Sequence, residues 1–189
     1  MQASPNPFRL ATTAHALRTL YFVRATFSLV WVSLLLVFVK SSPTATGFLL
    51  LLYPTWDVAA TFFDIRANRG ASSKLPQYVN IVVGLLTTVA VSVALKQNVP
   101  TVLLVFGAWA ITTGLIQLTL GLRRRRTLGG QWPMILSGGQ SVIAGASFIA
   151  MAQSPTMGIL NLAGYSAFGA FYFLLAAFRL GKNGQATQQ

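Results

Sequence analysis

Six stretches of continuously apolar sequence, each close to the roughly 20 residues a helix needs to cross a bilayer, decide the kind of fold open to this chain. They run from Leu20 to Val39, Thr46 to Phe63, Tyr78 to Leu95, Pro100 to Leu122, Pro133 to Met151 and Thr156 to Leu180. A barrel strand in lipid alternates apolar and polar side chains, and these runs do not. Backbone groups in hydrocarbon must then be satisfied within each segment, as only a helix does. Composition agrees: 54% of residues are hydrophobic and only 8% charged, against roughly 25% charged in soluble domains. The first run is longer than a signal-peptide core, so it is expected to stay in the protein.

Short polar breaks separate the spans. Ser41-Ser42-Pro43, Gln97-Asn98-Val99-Pro100 and Gln153-Ser154-Pro155 each end in a proline suited to a helix start. The basic residues set the orientation. Arg9, Arg18, Arg66, Arg69, Lys74, Arg123 to Arg126, Arg179 and Lys182 fall on one side, and only Lys40 and Lys96 on the other. By the positive-inside rule both termini are cytoplasmic. The net charge of +12 is thus tied to the bilayer, and nucleic acid is not expected as a partner.

A shift of 56 residues aligns the chain with itself twice over. Ser42-Pro43-Thr44 meets Asn98-Val99-Pro100 and Ser154-Pro155-Thr156; Tyr53 meets Trp109 and Tyr165; Val58 meets Gly114 and Ala170. The basic helix ends near Arg66, Arg123 and Arg179 fall in almost the same register. The expected fold class is therefore an all-α integral membrane protein whose six transmembrane helices form three parallel-repeat helical hairpins in a pseudo-threefold bundle. The units are 15–70, 71–126 and 127–182, with a cytoplasmic arm at 1–14 and a tail at 183–189. Parallel repeats point less directly to alternating access than inverted ones do.

Chemistry-bearing residues are few. Asp57 and Asp64 are the only acidic side chains, seven residues apart and so on one helix face. Arg24 lies about 6 Å inside the first helix and Asp57 about 9 Å in from the same side, by helical rise. An intramembrane charge pair of Arg24 with Asp57 or with Asp64 is therefore easy to form. A charge within a span is either a functional site, here a proton-binding Asp57, or a pair that fixes hairpin packing. The run Arg123, Arg124, Arg125 and Arg126 sits at a helix end, where it serves as a topology anchor and meets anionic lipid headgroups. Ser137, Ser141 and Gly145 recur every four residues in the fifth helix, and Ala163 and Ala167 do likewise in the sixth, a spacing that lets helices approach closely.

No cysteine is present, so thiolate metal sites, iron–sulfur clusters and a thiol nucleophile are excluded. His15 is the sole histidine and has no second ligand near it, so neither a metal nor a cofactor is expected. Catalytic residues are not expected either, because serine or threonine nucleophiles would lack a nearby base.

Arg123-Arg124-Arg125-Arg126-Thr127-Leu128-Gly129-Gly130-Gln131-Trp132-Pro133-Met134-Ile135-Leu136-Ser137-Gly138-Gly139, then Ser141-Val142-Ile143-Ala144-Gly145, resembles the HdeD family of bacterial acid-resistance membrane proteins. Leu20-Tyr21-Phe22-Val23-Arg24-Ala25 resembles it too, and the likeness covers nearly the whole chain. The resemblance implies a small non-enzymatic multi-pass protein of the bacterial inner membrane with a stress-response role. The outward breaks carry no Asp, Glu or His, so that face should change little as external pH falls. Two other functions stay open. One is a proton or small-solute channel or transporter using Asp57 and Arg24. The other is an assembly or accessory subunit that meets a membrane-protein partner, or a second copy, through Tyr165, Phe168, Phe171 and Tyr172.

Overall fold

The computed structural model describes residues 7–67, 74–128 and 131–186, with side chains over 12–66, 74–126 and 131–180. Arg69, Gly129 and Gly130 lie outside the described residues, as do the side chains of Arg9 and Lys182. Six helices follow one another without strands among the described residues: α1 (Pro7–Phe38), α2 (Pro43–Ala67), α3 (Leu75–Ala94), α4 (Val99–Leu128), α5 (Trp132–Ala150) and α6 (Ile159–Ala186). All six are long and apolar enough to cross a membrane. At 1.5 Å per residue α1 and α4 reach about 45 Å, more than the roughly 30 Å of a hydrocarbon core. Their ends therefore project beyond it, and α1 takes in much of the stretch expected as an arm.

Local chemistry explains the starts of α2 and α4. Ser42 Oγ accepts from the Ala45 N–H at 3.2 Å and Asn98 Oδ1 from the Thr101 N–H at 2.9 Å, which satisfies donors that a helix start leaves open. The third break departs from the expected pattern. The Met157 N–H donates to the Ser154 carbonyl and the Gly158 N–H to Asn161 Oδ1, so Ser154-Pro155-Thr156 forms a turn and α6 begins at Ile159.

Each helix packs on its neighbours in the chain, and α6 returns to α1, so the six close a ring. The most extensive contacts are α4 on α5 and α6 on α1, and those of α1 with α2, α3 with α4 and α5 with α6 are slighter. Glycine makes the α4–α5 seam possible: a methyl group added at Gly145 would lie 2.5 Å from the Gly107 carbonyl oxygen, and one at Gly114 2.8 Å from that of Gly138. Such backbone approach replaces the hydrophobic drive that lipid does not supply. Leu36, Val37, Phe48, Leu86, Val89, Ile143 and Phe171 are exposed on the outside, the surface that lipid would cover.

Inside, two apolar clusters are stacked. One, at the end where α1 starts and α6 finishes, joins Leu17, Leu20 and Tyr21 to Ala60, Met134, Ala176, Ala177 and Leu180. The other closes the opposite end with Trp31, Leu35, Leu50, Leu103, Phe106 and Leu162, fully or nearly fully buried. Trp31 is locked there because its Nε1 donates to the Leu49 carbonyl at 2.7 Å.

Candidate functional site

A helix that carries polar residues three, four or seven positions apart shows them on one face. Asp57, Thr61 and Asp64 do so on α2, Gln77 and Asn80 on α3, and Thr113, Gln117 and Arg124 on α4. All eight line one cavity of about 120 Å³ within the ring, to which each of the six helices contributes.

The layer nearest the start of α1 and the finish of α6 centres on Asp64. Arg124 Nη2 donates to both of its carboxylate oxygens at 2.7 Å, and Gln77 Nε2 donates to Oδ2 at 3.4 Å. Arg124 Nη1 also donates to the Tyr21 hydroxyl at 3.4 Å, which in turn donates to Gln131 Oε1 at 3.5 Å. Four helices and the start of α5 are thus tied by one network.

Two helical turns along α2, about 10 Å by rise, Asp57 forms a second layer. Arg24 Nη1 donates to its Oδ1 at 2.7 Å and Asn80 Nδ2 to its Oδ2 at 2.8 Å. Thr61 Oγ1 accepts from both Arg24 Nη2 and Asn80 Nδ2, at 3.2 and 2.8 Å. The Arg24 guanidinium also stands 5.5 Å from the Phe173 ring centroid, within the range of a cation–π contact. A third layer is aromatic. Tyr53 and Trp109 meet edge to face at 5.6 Å, the Ser166 hydroxyl donates to Tyr53 at 2.8 Å, and the Tyr165 hydroxyl donates to Ser141 at 3.1 Å. Beyond it the apolar cluster around Trp31 and Phe106 begins.

No family model, curated protein or solved structure matches the chain.

Of the charge pairings open from sequence, Arg24 takes Asp57, while Asp64 pairs with Arg124. The four-arginine run therefore divides, a correction to its reading as a uniform headgroup anchor. Arg123, Arg125 and Arg126 are exposed, but Arg124 is buried. The reason is helical phase: seven residues after Gln117, Arg124 falls on the cavity face of α4, and its neighbours fall off it. Ser137 and Ser141 line the cavity, whereas Gly145 belongs to the α4–α5 seam. His15 is exposed on α1. Sequence reasoning centred on the charged residues did not single out Tyr21, Gln77, Asn80, Trp109 and Gln131 as part of a site. The signal that would have found the two α3 residues is an uncharged polar pair on one face of an otherwise apolar span.

Proposed function

We propose that this multi-pass membrane protein admits a small polar solute to the chamber inside its helix ring, and works as a non-enzymatic solute-binding or solute-conducting protein. One observation carries the reading: a cavity of about 120 Å³ lined by charged, amide and hydroxyl side chains in the middle of a bundle whose outside is apolar. An engineered apolar cavity of about 150 Å³ stays dry and takes benzene, whereas a polar one of this size has room and partners for several waters. A bundle that only anchors or packs has no need of such a space.

The finer parts of the reading are proposals as well. Bacterial inner-membrane placement with cytoplasmic termini rests on the basic residues. Membership of the HdeD family, and with it an acid-stress role, rests on the sequence resemblance. The pseudo-threefold repeat is supported by three sets of cavity-lining residues spaced 56 apart: Tyr53, Trp109 and Tyr165; Asp57, Thr113 and Gly169; Thr61, Gln117 and Phe173.

Because the chain has no cysteine, single cysteines test access directly. Thr113→Cys, on the chamber wall, should react with methyl methanethiosulfonate much faster than Val102→Cys in the apolar cluster, and reagent added from one side should act first. Equal, negligible rates at the two positions would remove the reading.

A further inference from the structure

Granting that the chamber is open to solute, we infer that it takes small, neutral, hydrogen-bonding molecules of the amide type and rejects ions of the same shape. Charge argues first. The ionised side chains on the wall are Arg24, Arg124, Asp57 and Asp64, two of each sign, and each arginine is 2.7 Å from an aspartate. An entering anion would have to draw an arginine from its carboxylate, and a cation the reverse, in both cases leaving a buried charge uncompensated. A neutral molecule disturbs neither pair.

Hydrogen bonding argues next. Among the described residues, Gln77 Oε1, Gln131 Nε2 and Trp109 Nε1 are buried polar atoms on the wall that lack partners. The amide orientations follow from their neighbours. Asp64 only accepts, so Gln77 must turn its NH₂ toward it and its oxygen away. Tyr21 already accepts from Arg124, so its proton goes to Gln131 Oε1 and leaves the Gln131 NH₂ without a partner. One acceptor and one donor are thus free beside the Asp64 layer, and one donor, Trp109, is free at the aromatic layer. Unpartnered groups of this kind call for a bound molecule. A solute carrying both a carbonyl and an N–H meets the first pair, and when it moves along the cavity to the aromatic layer its carbonyl meets the tryptophan.

Size argues last. Asp64 and Tyr53 are eleven residues apart on α2, about 16 Å by helical rise. A volume of about 120 Å³ spread over that depth is narrow, and its aromatic walls at Tyr53 and Trp109 favour a flat occupant.

The test uses Thr113→Cys in proteoliposomes and three planar molecules of matched shape: acetamide, acetate and acetamidinium. Acetamide should slow thiol labelling in a saturable way, about tenfold at ten times its dissociation constant, and the two ions should not. Protection by either ion equal to that by acetamide would overturn the inference. Labelling that no probe slows would also overturn it, leaving a chamber that the thiol reagent enters but that does not select amides, with the proposed function intact. A cysteine that does not react would remove the proposed function with it.

Discussion

Arg124 and Asp64 are joined by two hydrogen bonds of 2.7 Å across 60 residues of chain. The bond links the terminal ends of α2 and α4, which are not neighbours in the ring, and Tyr21 and Gln77 extend it to α1 and α3. Removing one partner of a buried pair leaves the other charge uncompensated. Arg124→Ala is therefore expected to cost about 3–5 kcal/mol, whereas Arg125→Ala, at an exposed position, should stay within about 0.5 kcal/mol. Reversible unfolding in mixed micelles measures both, and equal effects would show that Arg124 is no more than a lipid-facing charge.

The second pair behaves differently when both partners are replaced. Arg24→Met alone strands Asp57 with Asn80, and should cost about 3 kcal/mol. Adding Asp57→Leu should recover most of that, because a hydrophobic replacement of a whole buried pair is often neutral. A double-mutant cycle of unfolding free energies reads the coupling. Additive losses would mean that the pair is solvated and contributes little.

How much of this was legible beforehand depends on which physical signal each residue emits. Span number and position were plain, because twenty apolar residues in a row have few other solutions in lipid. Arg24 with Asp57 was within reach, since one hairpin brings them together. Arg124 with Asp64 was not, because the pairing depends on ring closure between distant helices, which no local pattern encodes. The α4–α5 seam left a trace in Gly107, Gly114 and Gly121, seven apart, but its partners on α5 are set by tertiary packing. Pro155 looked like its counterparts Pro43 and Pro100, yet Asn161 captures the Gly158 N–H and delays the helix.

Glycines on α5 give a paired prediction. Gly145 faces the Gly107 backbone and Gly139 faces open space. Gly145→Ala should force α4 and α5 apart at about 1–3 kcal/mol. Gly139→Ala meets nothing within 4 Å and should stabilise by about 0.5–1 kcal/mol through its helix preference. Thermal unfolding of the two variants separates them by sign.

A role in acid stress, if the HdeD likeness holds, is tested in cells. A deletion strain is expected to survive strong acid less well than its parent, with wild type restoring survival. Asp57→Asn exchanges one carboxylate oxygen, now held by Arg24 or by Asn80, for an NH₂ group. It should fail to restore survival if the chamber's charge pairs matter to function. Full restoration would assign Asp57 to packing, and no effect of the deletion would count against the acid-stress role itself.

The apolar cluster beyond the aromatic layer limits passage as well as stability. Phe106 is almost fully buried there and meets Trp109 edge to face at 5.8 Å, so it packs beyond the aromatic layer, on the side of the chamber away from Asp64. Phe106→Ala should cost about 3–5 kcal/mol as a large-to-small core change. If the chamber is the inner part of a path, the same change should let acetamide cross proteoliposome membranes faster than it crosses those containing the parent chain. The two readouts need not move together. A stability loss without added flux would make the cluster a permanent floor and the chamber a binding site alone, whereas added flux would identify Phe106 as part of a barrier that the working protein opens.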